Sequence, residues 1–261
     1  MSEIYISSTL LWGSPLPDLF RSLKDAGLAG PELWAQQFFL EKYDTGEYRE
    51  CASEYGLSTL VHACSWDLNL CSANEGIRTA SIKEVIRSLE LAKAIGAKEV
   101  TVHPGHMTMV CWRSESAKLL HRSLEAIADA ARDLNVPVSL EIMEKARKEF
   151  VTSPQIMEEV TGDLKDRFQY TLDLAHCDSV AKMRSYRRQL RKRLSKLHIS
   201  NRVGPQYHTP LPYGDYDYKA LLPEILGWNV PMVVEGYDST TTHEVFARNV
   251  RFLQEQGGLD K

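Results

Sequence analysis

EVTVHPGHMTMVCWRSESAKLLHRSLEAIADAARDLNVPVSLEI, residues 99–142, sets two short β-rich runs on either side of a long stretch of helical period. Glu99 to His103 and Val136 to Ile142 carry the apolar, β-branched residues that favour strands, and Ser114 to Asn135 has the spacing of an amphipathic helix. Two strands joined through a helix of that length lie parallel in one sheet, because a tight hairpin cannot connect them. Each run also carries, at or one residue before its end, a side chain able to hold a divalent metal, His103 in the first and Glu141 in the second.

The same unit recurs along the chain. Strands are expected at Glu3 to Ser7, Gly30 to Trp34, Ser58 to Ala63, Glu99 to His103, Val136 to Ile142, Phe168 to Asp173, Leu197 to Ser200 and Pro231 to Gly236. Helices are expected to follow each of them, at Pro17 to Gly27, Gly46 to Tyr55, Ser81 to Gly96, Ser114 to Asn135, Ser153 to Thr161, Val180 to Leu194, Asp217 to Leu226 and Thr242 to Gln256. Gly27, Gly56 and Gly96 stand where a left-handed cap ends a helix, and Ser153-Pro154 offers an N-cap followed by proline at the first helical position. Eight such pairs in 261 residues with no linker between them read as one (β/α)8 TIM barrel, a single domain over 1–261. An open doubly wound sheet would more often carry a glycine-rich phosphate turn after its first strand, and Ser8-Thr9-Leu10-Leu11-Trp12-Gly13 is no such turn.

In a barrel of this kind the active site is built at the carboxyl ends of the strands. His62, His103, Glu141, Asp173, His198 and Glu235 each fall at or within a residue or two of the expected end of strands three to eight. Taken singly, a histidine closing a strand is more often a hydrogen-bonded structural residue than a ligand. Six such residues in register point instead to one shared site. Glu141 and Glu235 follow apolar runs that would carry their carboxylates into the barrel, where an unpaired charge is costly, and Asp173 repeats the pattern. Three carboxylates gathered without a cation would repel one another strongly. Mixed imidazole and carboxylate ligation suits Zn2+, Mn2+, Fe2+ or Co2+ better than Ca2+, and Mg2+ stays open beside them.

Composition narrows the function. A formal net charge of −4 gives no strongly cationic surface overall, so nucleic acid is an unfavoured partner. The run from Lys182 to Lys196 holds eight positive residues and no acid. Met183, Tyr186, Leu190 and Leu194 mark it as an amphipathic helix whose basic face is solvated or forms a subunit contact, so a homo-oligomer is allowed. Five cysteines, an odd number without CxxC spacing, read as reduced thiols, and neither Cys64 nor Cys177 has a base spaced to activate it. The start has no basic segment followed by an apolar one, and no run reaches the length of a membrane span, which together read as a soluble cytoplasmic protein. Trp12, Trp34, Trp66 and Trp112 fall in or beside the loops after strands one to four, where they would form a wall for the C–H faces of a small polyol.

These segments together resemble the xylose-isomerase-like TIM-barrel superfamily, which includes sugar isomerases and epimerases and also endonuclease IV. The resemblance rests on Glu32-Leu33-Trp34, His103-Pro104-Gly105, Leu140-Glu141, Asp173 with His176 three residues on, Leu197-His198, the segment Pro212 to Asp217, and Val234-Glu235-Gly236. It covers nearly the whole chain. It implies that Glu141, Asp173, His198 and Glu235 hold one divalent metal that grips two oxygens of a hydroxy-carbonyl compound. Glu141 and Glu235 would then exchange the proton next to the carbonyl through an enediolate, with His176 hydrogen-bonding a substrate oxygen. Glu32, Trp34, Trp12, Trp66 and Arg202 are the expected substrate-binding set. The epimerases commonly carry a second glutamate after the one matching Glu141, and Glu144 and Glu149 are the residues near that place.

Endonuclease IV uses three zincs, and His62, His103, His176 and His208 resemble its further ligands. Its Asp-x-His pair is broken here, since Gln206 precedes His208 by two residues. The leading expectation is therefore a metal-dependent isomerase or epimerase of a small sugar-like hydroxy-carbonyl compound. An endonuclease IV-like phosphodiesterase acting on abasic DNA is the alternative, and a dehydratase or lyase on the same scaffold is the third.

Overall fold

Ten strands are present among residues 3–259, the part described by the computed structural model. In chain order they are β1 (Ile4–Ser7), β2 (Gly30–Trp34), β3 (Leu60–His62), β4 (Val100–Val102), β5 (Val138–Ile142), β6 (Gln169–Asp173), β7 (Leu194–Ile199), β8 (Asn201–Val203), β9 (Gln206–Thr209) and β10 (Met232–Val234). Eight of them close a barrel in the order β1-β10-β7-β6-β5-β4-β3-β2, and every neighbouring pair is parallel. β8 and β9 form a separate antiparallel hairpin directly after β7. The barrel strands are buried along almost their whole length, as strands covered on both faces must be.

The helices lie outside. They are α1 (Leu16–Asp25), α2 (Ala35–Leu40), α3 (Thr45–Tyr55), α4 (Glu75–Ile95), α5 (Arg113–Leu134), α6 (Pro154–Thr161), α7 (Val180–Leu190), α8 (Tyr218–Leu226) and α9 (Glu244–Glu255). Local chemistry sets their ends. Asp44 caps α3 by accepting from the amides of Gly46 and Glu47, and Ser153 caps α6 by accepting from Ile156. Gly56 and Gly96 take left-handed conformations that close α3 and α4. Gly30, at φ 150°, opens β2 where any Cβ would lie 1.8 Å from the carbonyl oxygen of Ser58, so only glycine lets β2 approach the chain entering β3.

Two helix boundaries depart most from the expectation, and a helix and a hairpin are added to it. Helix α4 begins at Glu75, because the Asn74 side chain accepts from the amide of Ile77 and adds nearly two turns before Ser81. The helix expected over Val180 to Leu194 stops at Leu190, since Arg191 has a φ of 47° and breaks it, and Leu194 belongs to β7. A short α2 is inserted after β2, and the hairpin β8–β9 turns at Gly204, whose φ is 55°.

The basic run is also divided. Met183, Tyr186 and Leu190 are buried as an inward stripe, but Lys196 lies on β7 with its side chain inside the barrel, 1% exposed. Among the described residues no helix is long and apolar enough to cross a membrane.

Candidate active site

The barrel interior below the mouth departs from the aliphatic packing usual in this architecture. Thr101 donates to Oε1 of Glu32 at 2.7 Å, and Thr171 donates to Oγ of Ser139 at 2.8 Å. Lys196 donates to the same Ser139 oxygen at 2.8 Å, pairs closely with Glu99 and lies 3.9 Å from Glu32. A buried ammonium thus sits between two carboxylates, which is how a barrel core tolerates charge at all.

On that layer stands His198. Its Nε2 is 3.1 Å from Oε2 of Glu32, and its Nδ1 points the other way, 2.9 Å from Oε1 of Glu235 and 3.4 Å from Oε2 of Glu141. Donor atoms of Glu141, Asp173, His198 and Glu235 all lie within 4.8 Å of one another, on the adjacent carboxyl ends of β5, β6, β7 and β10. Two further groups flank this one: His62 and His103 share Glu141, and His176 and His208 share Asp173.

The imidazoles are oriented by their outer nitrogens. Nδ1 of His62 donates to the carbonyl of Ala63 at 2.8 Å and Nδ1 of His176 donates to that of Ile142 at 3.0 Å, so in both Nε2 is the nitrogen turned into the site. Nε2 of His62 then meets Nε2 of His103 at 3.1 Å, and the latter is 3.2 Å from Oε2 of Glu141. Nε2 of His176 is 3.4 Å from Oδ2 of Asp173 and 3.6 Å from Glu144. His208 bridges Ser200 at 3.1 Å and Oε2 of Glu235 at 3.6 Å.

Electrostatics here is unbalanced. Burial opposes ionisation of Glu141, but His198 and His103 outweigh it and hold the carboxyl well below the usual range. Burial, with repulsion from Glu235 and Glu141, pushes Asp173 up to about 6 against the pull of His176. Burial would lower His176 and His198 too, yet the surrounding carboxylates raise His176 to about 9 and His198 well above its ordinary value. Oε2 of Glu141, Oδ2 of Asp173 and Nδ1 of His198 are buried without hydrogen-bond partners. Two orphaned carboxylate oxygens and an imidazole nitrogen converging this closely fit a cation, which would displace the imidazole proton and whose bonds to them would replace what burial removed.

Above the cluster opens a cavity of about 360 Å³ whose walls include His103, Glu141, His176, His208 and Glu235. Trp34 stacks flat on His62, with centroids 4.1 Å apart, and Trp66 lies 5.5 Å from Trp34. Trp12 stacks behind Trp66 at 5.6 Å.

Residues 20–256 match the sequence profile of the xylose isomerase-like TIM barrel family. The chain belongs to that family. An uncharacterized protein of Methanocaldococcus jannaschii is 25% identical over 232 residues, which cover 87% of this chain and 85% of the relative. Among solved structures, a D-tagatose 3-epimerase-like protein superposes with a TM-score of 0.83 at 18% identity, over 99% of this chain and 97% of its own. A 3-keto-D-glucoside 4-epimerase from E. coli does so with a TM-score of 0.80 at 17% identity, over 98% and 100%. At these identities the likeness is one of fold.

Within this xylose isomerase-like barrel, the residues expected at the site fall into two sets. His62, His103, Glu141, Asp173, His176, His198, His208 and Glu235 come together, with Trp34 and Trp66 on the cavity wall and Trp12 behind it. Glu32, expected to bind substrate, lies beneath His198 and is fully buried. Arg202, expected beside it, is turned to the carbonyls of Gly204, Ala175 and Cys177 and stacks on Tyr207, outside the cavity wall. Trp112 precedes α5, 41% exposed and apart from the other tryptophans. The expectation did not include Ser7, Thr9, Met143 and Tyr237 in the wall, and Glu144, one of the two residues near the place of the epimerases' second glutamate, joins them there. Each lies at or within three residues of a barrel strand's end, which is the signal that would have found them.

Proposed function

We propose that this protein is a metal-dependent isomerase or epimerase of a small sugar or sugar-like hydroxy-carbonyl compound, working by proton abstraction next to the carbonyl. The observation that carries the reading is the approach of Glu141 and Glu235 to one nitrogen of His198, from strands with β6 and β7 between them, while both also line the cavity. A divalent ion held by Glu141, Asp173, His198 and Glu235 would supply positive charge for the oxygens of an enediolate.

The two glutamates each divide their oxygens. Oε2 of Glu141 faces His198, His103 and His62 while Oε1 faces His176; Oε1 of Glu235 faces His198 while Oε2 faces His208. A carboxylate divided in this way can serve as ligand through one oxygen and keep the other for proton transfer. One glutamate takes the proton from carbon and the other returns it. His176, with Nε2 turned inward beside Asp173 and Glu144, is placed to hydrogen-bond a substrate oxygen. Trp34 and Trp66 offer flat apolar surface to the C–H face of a sugar and exclude water from it. Four buried free cysteines and one exposed one support work in a reducing cytoplasm.

A phosphodiesterase is the second reading, favoured by one observation: the groups built on His62 with His103 and on His176 with His208 would suit two further ions. Elemental analysis together with incubation of ketoses in deuterated water separates the two. One metal per chain with deuterium entering a ketose is the expected result. Three metals with nicking of abasic DNA and no deuterium uptake would overturn the isomerase reading.

A further inference from the structure

Four carboxylate oxygens are buried without a hydrogen-bond partner among the described residues. Three have an account already: Glu141 and Asp173 face the metal cluster, and Glu32 faces His198. The fourth, Oε2 of Glu149, does not, and Glu149 lines a second cavity of about 300 Å³ behind His103. That cavity shares Ser65, His103 and Met143 with the wall of the first. Leu70 and Val85 give it an apolar side, and Asp67, His106 and Glu149 give it a polar one.

Glu149 is held in place by its neighbours along the chain. The carbonyl of Lys148 accepts from the amide of Met107, that of Val151 accepts from Met143, and Phe150 and Val151 are buried. The segment after β5 is thereby tied both to the loop after β4 and to the end of its own strand. Burial and repulsion from Glu144 push Glu149 up to about 7, the mark of a carboxyl without a donor. No lysine or arginine lines either cavity among the described residues.

We propose that this second cavity is a substrate subsite, in which Glu149 accepts a hydrogen bond from a hydroxyl at the end of the substrate remote from the metal cluster. The substrate is then a neutral polyhydroxylated compound whose chain reaches past His103. It carries no phosphate at that end, because a phosphate would meet Asp67 and Glu149 with no lysine or arginine in the wall to pair with it. Each cavity alone is at the small end for a ligand site, roughly 300–1,000 Å³, and the two adjoining ones together accommodate a longer molecule. This inference rests on the isomerase reading for the identity of the substrate, but not for the presence of the subsite.

The test uses full-length protein loaded with Mn2+ and three probes: D-fructose, the four-carbon ketose D-erythrulose, and D-fructose 6-phosphate. Binding is followed by calorimetry, and deuterium uptake is measured in parallel. Glu149→Leu is expected to weaken D-fructose at least about tenfold, the worth of one hydrogen bond to a charged group, and D-erythrulose less than about twofold. Glu149→Gln, which keeps an oxygen acceptor, should recover most of the loss. Glu149→Leu removes an unpartnered buried acid, so it should melt no lower than wild type, which keeps the comparison free of misfolding. D-Fructose 6-phosphate should bind more weakly than D-fructose. Equal losses on both ketoses, no loss on either, tighter binding of the phosphate, or no ketose binding by wild type would each overturn the subsite. If D-fructose binds with the expected dependence on Glu149 but takes up no deuterium, the subsite stands and the isomerase reading fails. Uptake unaffected by Glu149→Leu fails the subsite alone.

Discussion

Nε2 of His198 lies 3.1 Å from Oε2 of Glu32, a fully buried carboxylate that stays out of the cavity wall. Burial would keep Glu32 neutral, yet His198 and Lys196 outweigh that and lower it to about 2, so it meets the imidazole as an anion. A carboxylate behind a ligating imidazole fixes which nitrogen carries the proton and how the ring is turned. Here it leaves Nδ1 facing Glu141 and Glu235. Glu32→Ala is therefore expected to retain the barrel and lose metal affinity by about 10–100-fold, the usual range for such partners. Competition against a chelator of known strength measures it, and an unchanged affinity would mean that His198 is held by packing alone.

Lys196 should matter to folding rather than to chemistry. Its ammonium is shared by Glu99, Ser139 and Glu32, and Lys196→Met leaves the acids without their cation. Breaking one partner out of a buried pair costs about 3–5 kcal/mol. Urea unfolding of the metal-free protein should show a loss of that order, and adding Glu99→Gln should restore part of it through coupling of roughly 0.5–3 kcal/mol. Strictly additive losses would show that the two side chains do not act as a pair.

The sequence shows the ring of ligands more readily than the layer that supports it. Glu141, Asp173 and Glu235 each end or nearly end an apolar run, and a parallel barrel sends such residues to its mouth. Glu32 has the same local appearance between Pro31 and Leu33, but its height in the barrel is set by register. It pairs with Ser7 on one side and Leu60 on the other, which puts it below His198. Lys196 was masked by its company, because seven other basic residues precede it from Lys182 onward and only the break at Arg191 separates helix from strand. The hairpin carried a local signal in Gly204-Pro205, whereas the place of Glu149 behind His103 depends on contacts between loops that no spacing rule encodes.

Metal affinity should rise with pH. In the metal-free protein His198 is raised well above its ordinary value, with burial opposing and Glu235, Glu32 and Glu141 prevailing, so it holds a proton at neutral pH that an ion must displace. Asp173, pushed up to about 6 mainly by burial, holds a second proton below that point. Both shifts favour the protonated, metal-free form as pH falls. Affinity should climb about tenfold per pH unit where one proton leaves and more steeply below Asp173's own titration, with protons released into a weakly buffered solution. A flat affinity between about pH 5 and 8 would contradict the assigned ligands.

Glu141→Gln and Glu235→Gln examine the chemistry most directly. Both carboxylates are assigned ligation and proton transfer, roles compatible only because their two oxygens face different partners. Glutamine keeps one oxygen for the ion and removes the base. Each variant should therefore retain part of its metal while substrate-proton exchange falls at least about a hundredfold, the lower end for a general base. Loss of metal and exchange in proportion would assign these residues to binding alone. Exchange at the wild-type rate in both variants would rule out the two-carboxylate mechanism and move the hydrolytic reading ahead, since hydrolysis draws its nucleophile from water and needs no base at the carbon.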